Sequence, residues 1–309
     1  MITGLDSLPK LEPYLWADFL ELRASTSVDK SYSKGELSSL MRAQAEPEAR
    51  DLSEKRWNYA VNFIRNRIAI FGKSYPFKLS EDGDTVYIKK TDHSKLTPSE
   101  SLYLALLTCA NIKYIAPKRR KQITNSFEQI SLPVFEKLMP SGMIVNHCWA
   151  NAGASAIYTG LLYDKMIQIA KDIRCKPNFE PDDYEPGDTG DGGIDILAYH
   201  PMGDDRDCIP VAMVQCGCST TEWVAKQFEA HPSKLGNFLP VNHAWSSYYF
   251  LPQDLRKVNG RWAHRNDIGQ VIFVDRLRLI NLTASNRGIN HSQHISYVKE
   301  LIETEYEED

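Results

Sequence analysis

Two apolar runs constrain this chain more than anything else in it. The first is Gly190-Asp191-Gly192-Gly193-Ile194-Asp195-Ile196-Leu197-Ala198; the second, after a polar spacer, is Ile209-Pro210-Val211-Ala212-Met213-Val214-Gln215-Cys216-Gly217. Both are short and bounded by glycine or proline, the pattern of buried strands. Side chains alternate between faces along a strand, so Asp195, Leu197 and Tyr199 share one face of the first. Val211, Met213 and Gln215 share one face of the second. An aspartate at the glycine-flanked start of an apolar strand is held at a sheet margin, where a cation can reach it. On its own strand face, Gln215 is the side chain able to ligate.

At 309 residues, 42% of them hydrophobic, the chain is long enough for about two domains with ordinary cores. Its formal net charge of −4 makes no whole-chain case for nucleic-acid binding, which must come from local patches if it occurs. Met1 to Pro9 carries no signal-peptide apolar segment, and no apolar run of about 18 residues occurs. These features set the expectation of a cytoplasmic protein without a membrane span. The six cysteines, Cys109, Cys148, Cys175, Cys208, Cys216 and Cys218, are scattered rather than framework-spaced, which fits reduced thiols.

The first region, residues 1–120, reads as largely helical. Helices are expected over 12–24 and over 34–43, the second with Ser33 as N-cap. A longer one follows over 52–70, where Trp57, Ala60, Val61, Ile64 and Ile68 recur at helical spacing. Tyr75 to Leu79 and Thr85 to Ile88 flank Ser80-Glu81-Asp82-Gly83-Asp84 and read as a β-hairpin. Helices followed by a hairpin resemble a winged-helix module, a family used for DNA binding and equally for protein contacts. A helix over 98–111 and the basic run Lys118-Arg119-Arg120-Lys121, which reads as a solvated loop or a phosphate contact, lead to another helix over 127–139.

The second region, residues 121–309, continues with a helix over 156–173, the strands 194–199 and 211–216, and a helix over 220–230. The β run Gln270 to Val274 follows. This order predicts an α/β sandwich around a central mixed sheet. Between residues 231 and 265 lie Phe238, Trp245, Tyr248, Tyr249, Phe250 and Trp262, which read as a local core or as a base-stacking surface.

Asp191-Gly192-Gly193-Ile194-Asp195 and Gln215-Cys216-Gly217 resemble the active-site pattern of the PD-(D/E)xK nuclease superfamily, the fold of many restriction endonucleases. The closest resemblance is to its glutamine-containing branch, in which an aspartate after Gly-Asp-Gly-Gly is followed by a strand ending in Gln-x-Lys. Here Gly217 stands where the pattern has lysine. Ser219-Thr220-Thr221-Glu222 reads as a capping box opening a helix after the strand. Lys226, two turns into that helix, is the candidate replacement. Family members also place an acid on an earlier helix, often as Gly-x-x-Phe-Glu. Gly160-Leu161-Leu162-Tyr163-Asp164 has that spacing and makes Asp164 a candidate ligand, with Phe127-Glu128 as the rival.

The resemblance implies a restriction-endonuclease-like α/β fold and Mg²⁺-dependent hydrolysis of DNA, with Mn²⁺ able to substitute. Asp195 and Gln215 would be its metal ligands and Asp195, Gln215, Lys226 and Asp164 its catalytic set. Mg²⁺ prefers oxygen ligands and keeps several waters, which suits an aspartate and an amide oxygen. Glutamine-containing members are often found in bacterial restriction and antiphage systems, so a defence nuclease acting with a sensor or motor subunit is the implied setting. A homodimer or larger oligomer would place two sites on two strands.

Other chemistries fit these residues less well. Cys216-x-Cys218 with Cys208 and His200 matches no usual zinc spacing. A Cys216 nucleophile would point away from Gln215, and no Walker A or dinucleotide fingerprint occurs. The principal alternative is a nuclease-like fold that has lost its lysine and serves as a nucleic-acid-binding or assembly subunit. A metal enzyme acting on another phosphate ester is the third.

Overall fold

The computed structural model describes residues 1–10, 12–44, 49–149 and 153–303. From the N-terminus come α1 (Pro13–Thr26), β1 (Ser31–Ser33), α2 (Lys34–Ala43), α3 (Ala49–Phe71), β2 (Phe77–Leu79), β3 (Thr85–Ile88), α4 (Pro98–Ala110) and α5 (Pro117–Leu138). There follow β4 (Ile144–His147), α6 (Leu162–Asp172), β5 (Ile196–Tyr199), β6 (Val211–Cys216), α7 (Trp223–Lys226), α8 (Pro232–Leu235), β7 (Ser246–Phe250), β8 (Ile272–Val274), α9 (Arg276–Ser285) and α10 (Tyr297–Glu303). The protein is thus mixed α/β, with one three-stranded antiparallel and one five-stranded mixed sheet. Among the described residues no helix is long and apolar enough to cross a membrane.

The chain forms two compact units. The first comprises Met1–Phe127, Pro252–Arg265 and the chain from Asp275 on; the second comprises Glu128–Leu251 and Asn266–Val274. The border therefore falls inside α5 rather than near residue 120, and the C-terminal helices, read from sequence as an extension of the second region, belong to the first.

In the first unit the helix starts follow local chemistry. Ser33 and Glu36 close a capping box on α2, Thr97 and Glu100 another on α4, and Pro13 and Pro98 sit in first turns where no N–H is needed. The sheet has the order β1-β3-β2. At the unit's centre lies a buried ionic cluster. Arg67 of α3 meets Asp18 at 2.7 Å, Glu21 at 2.7 Å and Asp254 at 3.0 Å, while Arg276 meets Asp18 at 2.8 Å. Tyr75 and Tyr103 donate to the two oxygens of Glu21 at 2.7 and 2.8 Å, and Arg256 meets Asp254 at 2.6 Å. Three acids and three arginines leave the cluster neutral, the condition under which buried charge is tolerated. This pairing of Asp18 with Arg276 explains why the C-terminal stretch joins the first unit.

In the second unit the sheet order is β4-β5-β6-β7-β8, with β4, β5 and β6 antiparallel and β6, β7 and β8 parallel. The register pairs Leu197 with Met213 and Met213 with Ser247, and Gln215 with Tyr249. One face packs under α6, where Leu162, Met166, Ile169 and Ala170 join Leu197, Val211 and Met213 in a core. On the other face Phe135 of α5 lies 5.2 Å from the ring of Tyr248 and 6.3 Å from that of Phe250. Buried apolar side chains on both faces require helices above and below.

Three expected elements differ. The helix expected from 156 begins at Leu162, because Gly160 is left-handed (φ +96°) and Asp164 caps the next turn. The helix expected over 220–230 shortens to α7. Gln227 is held there by a side chain that donates to Val224 and Asp267 carbonyls and accepts from the Gly269 N–H, fixing the chain in a turn. The basic run 118–121 is not a loop but the first turn of α5.

Candidate active site

Asp195 and Gln215 come together as their strand positions require. Asp195 donates its N–H to the Val214 carbonyl at 2.9 Å, and its Oδ2 accepts the Cys216 N–H at 2.6 Å, so the carboxylate bridges the edges of the two strands. The loop leading into it is shaped by glycine. Gly192 and Gly193 have φ of +67° and +81°, and the Asp191 Oδ1 accepts the Gly193 N–H at 2.9 Å to close the turn. A Cβ on Gly193 would lie 2.7 Å from Cβ of Glu229, so backbone and neighbour both demand glycine here.

Carboxylates crowd this corner. Burial pushes the Asp195 carboxyl well above its usual range, and the charges of Glu128, Asp191 and Glu229 push it further, against the Cys216 N–H, which favours the anion. Glu128 rises to about 7 through burial and the charge of Asp191. Asp191 itself is raised, burial outweighing the Gly193 N–H and the charge of Lys165. Lys165, on α6, is 5% exposed and donates to the carbonyls of Thr189 and Gly190 at 2.6 and 2.9 Å, lashing the glycine loop to the helix.

Gln215 is 8% exposed, and its Oε1 is buried without a hydrogen-bond partner. An orphaned amide oxygen beside mutually repelling carboxylates is a set of oxygens that a positive charge would satisfy. Among the described residues no three His, Cys, Asp or Glu side chains converge into a ready-made cage. That arrangement still fits a hard divalent ion that takes one or two protein oxygens and keeps its waters. Asp195 and the Gln215 Oε1 are the oxygens placed to hold it, with the charge of Glu128 acting on Asp195.

The remaining candidates have local partners of their own. Asp164 is exposed and accepts the Leu161 N–H at 3.0 Å, which is the work of a helix cap; it is Glu128 of α5 whose charge reaches Asp195. The Lys226 side chain is 39% exposed, and its Nζ lies 3.6 Å from Oε2 of Glu222. Lys226 is the last residue of α7, and Gln227 caps the helix behind it. Cys216 has its thiol pushed well above the usual range by burial and by the charges of Asp195 and Glu128, which disfavours a nucleophilic thiolate.

Sequence reasoning did not assign Lys165, Glu229 or Tyr249 to the site. Tyr249, 0% exposed, lies beside Gln215 in the parallel register, and its hydroxyl stands where a Cβ on Gly217 would be, with Cζ at 2.8 Å from that point. Its hydroxyl has no hydrogen-bond partner. The only signal in the sequence was Gly217 itself, a glycine at the position where the pattern has a long side chain.

Compared with protein-family profiles, curated proteins and solved structures, the chain matches none.

Proposed function

We propose that the second unit is a metal-dependent nuclease that hydrolyses DNA phosphodiester bonds, built on a restriction-endonuclease-like core. The observation that carries this reading is the buried, unpartnered Oε1 of Gln215 next to Asp195 on the neighbouring strand. The run of elements α5, β4, β5, β6, α7 and β7, with an acid on the first helix and β7 parallel to β6, supports it. That run is interrupted by α6, which carries Lys165, and by the single turn of α8.

When bound, Mg²⁺ would lower the pKa of an attacking water and offset the charge on the phosphate. The protein's share is to hold Asp195 by the Cys216 N–H, to present the Gln215 oxygen, and to keep the glycine loop in place through Lys165. Glu128, raised to about 7, is suited to accept a proton near neutral pH. For DNA as substrate, support comes from the first unit. Its order of helix, strand, two helices and two strands is that of a winged-helix module, and α3 exposes Lys55, Asn58, Asn62 and Arg65.

The test is cleavage of linear and supercoiled DNA with Mg²⁺ or Mn²⁺. Asp195→Ala and Gln215→Leu are expected to lower the rate by at least about 100-fold while leaving the protein folded. Wild type that binds DNA but never cuts it would favour the second reading, a nucleic-acid-binding or assembly subunit, for which the absence of lysine at Gly217 is the specific argument.

A further inference from the structure

Resting on the nuclease reading, we infer that Tyr249 takes the place of the missing lysine as the positioning residue, its hydroxyl holding the attacking water against the phosphate. Three observations converge on it. Tyr249 is the register neighbour of Gln215 across the parallel β6–β7 pair, so the two side chains lie on one face of the sheet in adjacent strands. The hydroxyl occupies the point from which a side chain at 217 would leave the backbone, and a lysine there is sterically impossible while the ring is present. Finally, the hydroxyl is fully buried and unpartnered, as is the Gln215 Oε1. Two orphaned oxygens on paired residues are a costly arrangement in a folded core, and such groups are retained where a ligand completes them.

The chemistry suits a neutral donor. Burial holds the phenol protonated far beyond physiological pH, and the charges of Glu229 and Asp195 reinforce this. A lysine amine in this corner would carry charge; the tyrosine donates one directed hydrogen bond without it. In the hydrolysis the water oxygen bonds to phosphorus and the bond from phosphorus to the departing alcohol breaks. The water's proton passes to a neighbouring carboxylate, and the departing alkoxide takes one from solvent. Tyr249 exchanges no proton in this scheme; it fixes the water oxygen in line with the bond that breaks.

Tyr249→Phe separates this role from a structural one. The variant is expected to cut DNA about 100-fold more slowly with KM unchanged, because one fixed donor is lost. Its melting temperature, measured without metal or DNA, is expected to equal or exceed that of wild type, since removing an unpartnered buried hydroxyl costs the fold nothing. Mg²⁺-induced stabilisation is expected to be unchanged. In the double variant Tyr249→Ala with Gly217→Lys, the space vacated by the ring admits the lysine, and cutting is expected to recover relative to Tyr249→Ala alone. Tyr249→Phe that cuts at the wild-type rate would overturn the inference and leave the nuclease reading intact, as would a fall in melting temperature that accounts for the lost activity. Wild type that cuts no DNA with either Mg²⁺ or Mn²⁺ would instead remove the nuclease reading, and this inference with it.

Discussion

At Gly193 two constraints coincide, a left-handed backbone and the close approach of Glu229, and both serve to aim Asp195. Gly193→Ala is expected to cost about 1–3 kcal/mol in denaturant unfolding and to reduce cutting as well, because the loop can relax only by moving the aspartate. A second residue-scale consequence concerns His291. Its ring is 5% exposed, and burial, with His294 beside it, pushes its pKa down to about 4. An unfolded histidine titrates near 6.5, so the unfolded chain takes up the proton first. The stability contributed by burying this ring neutral is therefore fully present above about pH 6.5 and is lost as pH falls toward 4. Its full size is on the order of 3 kcal/mol. Urea midpoints at pH 7 and pH 5 should differ more in wild type than in His291→Gln; equal differences would show that another group governs the acid limb.

Among the elements, α6 shows how a helix supports a site it does not enter. Its Lys165 gives two hydrogen bonds to the glycine loop, so Lys165→Met should cost about 1–3 kcal/mol in unfolding and lower cutting through a displaced Asp191. Unchanged activity in that variant would show that the loop holds its shape alone. The strands β5 and β6 were legible because both faces are buried, which writes a continuous apolar run into the sequence. So was α2, whose capping box is local. By contrast β4, Ile-Val-Asn-His, is an edge strand with no buried residue, and β7, Ser-Ser-Tyr-Tyr-Phe, reads as an aromatic patch until its parallel register is seen. Alternation put Asp195 with Leu197 on its strand and Gln215 with Met213 on the next; the register that pairs Leu197 with Met213 puts the two on one sheet face. The acid from α5 and the hydroxyl of Tyr249 did not follow from alternation, since both depend on which helix and which strand the tertiary fold brings alongside.

On the scale of the whole molecule, the buried ionic cluster of the first unit links residues drawn from the length of the chain. Arg67→Met leaves Asp18, Glu21 and Asp254 without a shared partner and is expected to destabilise by about 3–5 kcal/mol, read from the loss of the denaturation midpoint. The same cluster fixes an order of events during synthesis. Asp18 and Glu21 leave the ribosome before the second unit does, yet the arginine that completes Asp18's pairing is Arg276, whereas the last strand of the second unit ends at Val274. Domains ordinarily fold in the order they are made. Here the first unit cannot complete its centre until the second unit has been translated in full, so the pairing of Asp18 with Arg276 is made only after Val274 has been synthesised.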